Sequence, residues 1–227
     1  MAINIVDRVE DRVPIRNVIV SVSDKRGLET FVPGLLDRCP DVRFFSTGGT
    51  YEKLSEILGD RADRLTAISA FTGQPEMQGG LVKTLDFKIY LGLLSERFNE
   101  AHDQDLERTG SLRFDMVVVN LYPFNETVAS AGVTVEKARA NIDIGGPCMV
   151  RAAAKNFLRV AVVVDPASYG EVLAALEAGD GALDLATRFA LARKAFAHTA
   201  SYDASIERYL EGIAFEEARE VYDVQEG

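Results

Sequence analysis

The chain has 227 residues, 47% of them hydrophobic, enough for one large domain with a substantial core and too apolar for a mainly disordered chain. A formal charge of −10 excludes a generic phosphate-tracking surface, so no nucleic-acid partner is expected and an anionic ligand needs a locally basic site. Two distant cysteines and two histidines exclude a disulfide scaffold and a zinc centre, and no apolar run is long enough to span a membrane.

In chain order, the polar and charged opening MAINIVDRVEDRV lacks the apolar centre of a signal peptide, and a cytoplasmic protein is expected. Asn17–Val22 is a β-branched run that reads as a strand, followed by a helical pattern through Leu28, Phe31, Leu35 and Leu36. Residues 42–45 read as a second strand, and a helix with Leu54, Ile57 and Leu58 comes after the Ser46–Thr50 cluster. Further strands are expected at residues 65–68, 114–120 and 159–164, and a helical pattern runs from about 183 to 210. The strands are near-continuous apolar runs separated by helix-length segments, as in a parallel sheet covered on both faces. The expected fold class is therefore α/β, one domain with a core over about residues 15–178 and a C-terminal helical part over about 183–212.

Polar clusters follow the strands, and open parallel sheets bind ligands beyond the carboxyl ends of their strands. After the first strand, Lys25 could contact a phosphate, with Ser23 beside it, while Asp24 could serve only as a helix cap. Ser46, Thr47, Gly48, Gly49 and Thr50 offer hydroxyls, close backbone approach and a helix N-terminus, all suited to a phosphate ester; the plainer alternative is an N-capped turn with Thr50 as cap. Lys83, beside Thr84, lies between apolar residues, where lost solvation would bring it toward acid–base range. Asn120 and Tyr122 end the strongest strand, and Pro123 stops its ladder. In NIDIGGPCMVRAAAKN, over residues 141–156, Asp143 precedes Ile144, Gly145 and Gly146, and Pro147 suits a first helical turn. Lys155 could reach back toward Asp143, or could simply complement the helix dipole. His198 reads as a satisfied helix histidine and His102 as solvent-facing.

The motifs SVSDKRGL, FSTGGT, FTGQPEM, VKTL, VVVNLYPFNETV, NIDIGGPCMVRAAAKN, VAVVVDPASY and KAFAHTASYD occur in this order and cover most of the chain. Together they resemble the inosine monophosphate cyclohydrolase domain of the bifunctional purine biosynthesis protein. The resemblance implies a three-layer α/β/α methylglyoxal-synthase-like fold with a mainly parallel sheet. It implies closure of the purine ring of 5-formamidoimidazole-4-carboxamide ribonucleotide to inosine monophosphate and water, the last step of de novo purine biosynthesis, without metal or other cofactor. It also implies a homodimer, and, since no formyltransferase domain is expected here, a separate formyltransferase in the same pathway. By the same resemblance Lys83, Tyr122, Asp143 and Lys155 form the catalytic group. Asp143 accepts or orients the carboxamide N–H with Lys155 as its charged partner, while Lys83 and Tyr122 serve the formyl oxygen. Backbone N–H groups around Ile144 and Gly145, next to Gly146, stabilise the oxyanion. Ser23, Lys25 and the residues from Ser46 to Thr50 hold the 5′-phosphate, and Thr84 and Asn120 contact ribose or base.

One loop departs from the family pattern. Leu81 stands where the family has arginine, Asp86 and Phe87 where it has His-Pro, and Tyr90 at a later histidine. That makes the loop about two charges less positive and should weaken attraction for a nucleotide unless Lys88 or Arg151 compensates. A nucleotide-binding or regulatory module with weakened catalysis is therefore the alternative reading.

Overall fold

The computed structural model describes residues 5–75, 77 and 83–225. Five strands form a wholly parallel sheet: β2 (Asn17–Val22), β3 (Arg43–Ser46), β4 (Leu65–Ala67), β5 (Met116–Asn120) and β6 (Ala161–Val163), in the order β4-β3-β2-β5-β6. A two-stranded antiparallel ribbon, β1 (Val13–Pro14) with β7 (Ala182–Leu183), ties the start of the chain to the entry of its last long helix.

Helices fill both faces of the sheet. They are α1 (Leu28–Arg38), α2 (Gly48–Leu58), α3 (Ile68–Thr72), α4 (Phe87–Leu94), α5 (Glu100–Thr109), α6 (Phe124–Ala129), α7 (Val135–Ala140), α8 (Gly145–Lys155), α9 (Tyr169–Ala178), α10 (Leu185–Glu211) and α11 (Phe215–Glu220). Because successive side chains of a strand point to opposite faces, each apolar run feeds two cores. Val18, Val20, Met116 and Val118 meet Phe31 and Leu35 of α1, Leu54 of α2 and Val172 of α9. Ile19, Val117 and Val119 meet Ile89 of α4, Met149 and Val150 of α8 and Ala195 of α10. The expected α/β fold with a mainly parallel sheet, both faces covered, is what the chain adopts.

Strand order reverses between β2 and β5, since β3 and β4 extend to one side and β6 to the other. The loops leaving the carboxyl ends of β2 and β5 then diverge to opposite sides and open a crevice, the usual ligand position of such sheets.

Buried arginines lock the far end. Arg159, 3% exposed, donates to the carbonyls of Gly92, Ser95 and Phe114 and sits 3.5 Å from Asp115. Burial pushes the Asp115 carboxyl up despite that cation and the N–H groups of Arg16 and Asn17, and pulls Arg159 down to about 10. Close packing here explains Gly92 in α4: a Cβ would run into the Leu112 carbonyl and come within 2.9 Å of the Phe114 ring. Gly92→Ala should therefore cost about 1–3 kcal/mol of stability, measurable by denaturant unfolding.

Candidate functional site

A cavity of about 680 Å³ occupies the crevice beyond β2 and β5. Four strand–helix and helix–helix junctions line it: the β2–α1 turn with Ser23 and Lys25, Thr47 with the α2 start at Gly48 and Gly49, the end of β5 at Asn120 with Tyr122 beyond it, and the α7–α8 loop with Asp143 and Ile144 running into the α8 start at Gly145 and Gly146. Lys83, Thr84 and Thr50 also line it. Fourteen of the sixteen expected binding and catalytic positions line this cavity, all but Ser46 and Lys155.

The glycine turn has the geometry and charge that suit an anion. Gly48 has φ +54°, the left-handed region that disfavours a side chain, and it starts α2 with Thr47 as N-cap. The Thr47 side chain makes no capping hydrogen bond. Two ammonium groups converge on this turn: a Cβ on Gly48 would lie 3.8 Å from Lys83 Nζ, and one on Gly49 would lie 3.9 Å from Lys25 Nζ. In a chain of net charge −10 this is a locally positive cradle, with helix-start N–H groups beneath it.

Two members of the expected phosphate set are structural. Ser46, fully buried, donates its hydroxyl to the Val20 carbonyl at 2.7 Å and does not line the cavity. Thr50 is no helix cap, because α2 begins at Gly48; its buried hydroxyl donates to the Val22 carbonyl and accepts the Val22 N–H, riveting α2 to β2. Asn120 also acts on protein: its amide accepts the Asp24 N–H at 2.8 Å and donates to the Asp24 carbonyl at 2.9 Å. That double bond holds the turn carrying Ser23 and Lys25. Asp24 is paired with Arg26 instead of capping α1, and this contact holds its carboxyl at about 2.

On the facing wall, Asp143 Oδ1 accepts the Gly146 N–H at 2.9 Å, and the carboxylate also receives the Tyr122 N–H. Burial outweighs both bonds, so its carboxyl titrates above the usual carboxylate range. The neighbouring glycines are required by contact: a Cβ on Gly146 would stand 2.5 Å from Asp143 Oδ2, and one on Gly145 2.5 Å from Thr84 Oγ1. The Gly146 N–H is engaged by Asp143.

Lys155 departs from expectation. Asp143 lies just before α8 and Lys155 is its last residue, exposed and about 15 Å along the axis from Gly145 at ~1.5 Å per residue. The lean of helical side chains does not recover that distance, and the expected Asp143–Lys155 pair is not made. Neither Lys88 nor Arg151 lines the cavity: Lys88 Nζ reaches the Phe71 carbonyl, and Arg151 lies over the Phe196 ring. In the divergent loop, Asp86 is a buried N-cap accepting the Lys88 N–H, Phe87 is exposed, and Tyr90 is half-buried outside the cavity lining. Leu81 falls outside the described residues.

The histidines also differ from expectation. His102 is half-buried and accepts the Glu96 N–H at Nδ1. His198 Nε2 is buried without a hydrogen-bond partner and borders a second cavity of about 630 Å³, with Asp24, Glu126 and Asp165. Burial lowers the His198 pKa. Tyr202 of α10, which the sequence reading did not single out, does not line the cavity but supports its wall: its hydroxyl accepts the Asp143 N–H at 2.8 Å. Its presence in KAFAHTASYD was the available signal, with nothing local to say which loop it would meet.

Among the described residues, no group of three or more His, Cys, Asp or Glu could hold a metal ion, and no helix is long and apolar enough to cross a membrane.

Comparison with known proteins agrees with this architecture. Residues 31–148 match the family model described as MGS-like domain, and residues 153–226 match AICARFT/IMPCHase bienzyme. The chain is 50% identical over 199 residues to the bifunctional purine biosynthesis protein PurH of Magnetococcus marinus, an alignment covering 88% of this chain and 36% of that protein. The chain thus spans about a third of that relative's length. A crystal structure of ForH superposes with a TM-score of 0.69 at 35% identity, covering 85% of this chain and 97% of that one. These matches bear out the resemblance carried by the motifs, and the chain belongs to the MGS-like domain family.

Proposed function

We propose that this cavity closes the purine ring of 5-formamidoimidazole-4-carboxamide ribonucleotide, giving inosine monophosphate and water. One observation carries the reading: Lys25 and Lys83 converge on the Gly48–Gly49 turn in the same cavity that holds the desolvated Asp143. The glycine turn with Lys25 suits a phosphate, and Lys83 beside it, in one cavity with Asp143, suits the acid–base step. The likeness to a PurH over most of the chain supports the choice of substrate.

The 5′-phosphate lies on the glycine turn, neutralised by Lys25 with Ser23 and Thr47 at its edge. Thr84, in contact with Gly145, carries the sugar and base toward the Asp143 loop. Holding the formamido and carboxamide arms face to face makes the attack intramolecular and lowers its entropic cost. The carboxamide nitrogen attacks the formyl carbon and forms the new C–N bond, and Asp143 takes the proton that nitrogen sheds. The formyl oxygen collects negative charge, which Lys83, Tyr122 and the Ile144 and Gly145 N–H groups stabilise. In the second half the former formamido nitrogen gives up its proton, and the protonated oxygen departs as water when the C=N bond forms to that nitrogen, the carboxamide nitrogen keeping its remaining hydrogen. Burial raises the pKa of Asp143, which makes it a stronger base than an exposed aspartate for accepting the carboxamide proton. Lys155 has no part in this sequence of steps.

Lys25→Ala should raise the KM about tenfold to a hundredfold through loss of a charge-assisted contact, with a smaller effect on kcat. Purified protein incubated with the formamido nucleotide tests the whole reading by the absorbance of inosine monophosphate. Turnover well above the spontaneous rate supports it, and none rejects it. A nucleotide-binding module with weakened catalysis is the second reading, favoured by the absence of Lys88 and Arg151 from the cavity wall. Saturable nucleotide binding without turnover would decide for it.

A further inference from the structure

We infer that Tyr202, on the C-terminal helix α10, is a positioning residue that sets the Asp143 loop and the facing Tyr122 loop in register. The inference rests on the cyclohydrolase reading insofar as it concerns rate.

The α7–α8 loop from residue 141 to 144 has no regular secondary structure to fix it. Asn141 and Ile142 bond back to the end of α7, and Cys148 bonds to Ile144 within the start of α8. The Asp143 N–H is anchored from outside the loop, by the Tyr202 hydroxyl across 59 residues of sequence. Tyr202 is only 8% exposed, its ring packed in the core layer that contains Met149, Val150 and Ala195. A hydroxyl on so constrained a ring fixes the height of the Asp143 backbone, and with it the angle at which the carboxylate meets the N–H groups of Gly146 and Tyr122.

The same ring reaches the opposite wall. Phe124, two residues beyond Tyr122, lies edge-on to Tyr202 at 6.3 Å and to Tyr209 at 5.8 Å, so α10 grips the β5–α6 turn as well. One helix thereby references both loops that would flank the reacting arms. This places a requirement of the site outside residues 31–148, where the MGS-like match ends.

The test compares wild type, Tyr202→Phe and Tyr209→Phe. Tyr202→Phe keeps the ring and its packing, so the fold should survive. It should lower kcat about tenfold or more, with KM within about twofold, because a small misplacement of an acid–base group costs rate rather than affinity. The acid limb of its pH profile should move upward, since a misaligned carboxylate loses the N–H bonds that favour its charged form. Tyr209→Phe, which touches the same phenylalanine, should leave both parameters unchanged. Unchanged kcat and pH limb in Tyr202→Phe would overturn the inference even if the protein melts earlier. Should the wild type show no turnover, the cyclohydrolase reading fails, and the Asp143 carboxyl titration followed by carbon NMR decides the positioning role. An upward shift in Tyr202→Phe supports it, and an unmoved titration overturns it.

Discussion

Asp143→Asn should lower kcat for ring closure by about 10²–10⁴-fold while leaving KM nearly unchanged. Asparagine keeps an oxygen for the Gly146 N–H, so the loop and the α8 start stay in place and the loss reports the missing base. The sign of the pH dependence follows from burial. A carboxyl whose pKa is raised is ionised only above the usual carboxylate range, and a base must be ionised to act. Wild-type turnover should therefore fall as pH drops through that raised value, earlier than an exposed aspartate would allow. The variant should lose this limb. Retention of a tenth of wild-type kcat, with the limb intact, would remove Asp143 from the chemistry.

Arg188→Met should be the most destabilising single change outside the site. Arg188 is fully buried, and its guanidinium donates to five carbonyls, those of Glu10, Asp11, Phe157, Leu158 and Leu183. All five of its N–H groups are used. They join the segment before β1, the turn before β6 and the ribbon strand β7 to the first turn of α10. Methionine fills similar space but leaves the carbonyls without their donor. The expected loss is about 3–5 kcal/mol, or roughly 10 °C in Tm for a chain of this size. Burial lowers the Arg188 pKa, but a guanidinium stays charged throughout the working range, so the loss should vary little between pH 6 and 8. Arg188→Lys should recover only part of it, since an ammonium cannot reach five carbonyls in one plane. A Tm shift below about 2 °C for Arg188→Met would contradict this account of the far end of the sheet.

Much of the fold is legible in the apolar runs. Asn17–Val22 is a strand with the expected bounds, and strands at residues 43–46, 65–67, 116–120 and 161–163 lie within one or two residues of expectation at most ends. Continuous burial on both faces makes such runs conspicuous. The ribbon β1–β7 escaped because two residues per strand carry no periodicity. Arg188 escaped for a different reason: it sits on the buried helical stripe with Leu191, Ala192, Ala195, Thr199 and Tyr202, where a charge reads as an exception. Only the meeting of three distant carbonyl-bearing segments explains it.

The candidate site divides along the same physical line. Turns that follow parallel strands are brought together by the sheet itself, which is why Ser23, Lys25, Gly48, Gly49, Asn120 and Tyr122 share a cavity. Side-chain direction is not written locally. Ser46 turns inward to Val20 and Thr50 to Val22, although both sit in a motif that looks made for phosphate. Lys155 is twelve positions from Asp143 in sequence, but an intervening helix converts that nearness into the length of α8. Tyr202 shows the converse, a distant residue brought to Asp143 by packing of α10 on the sheet.

The most direct measurement is a crystal structure of the protein with inosine monophosphate bound. The account predicts the 5′-phosphate over Gly48 and Gly49 with Lys25 Nζ on its oxygens, and the purine ring within hydrogen-bond reach of the Asp143 carboxylate. A nucleotide bound elsewhere, or one whose phosphate turns away from the glycine turn toward the Asp143 loop, would contradict it.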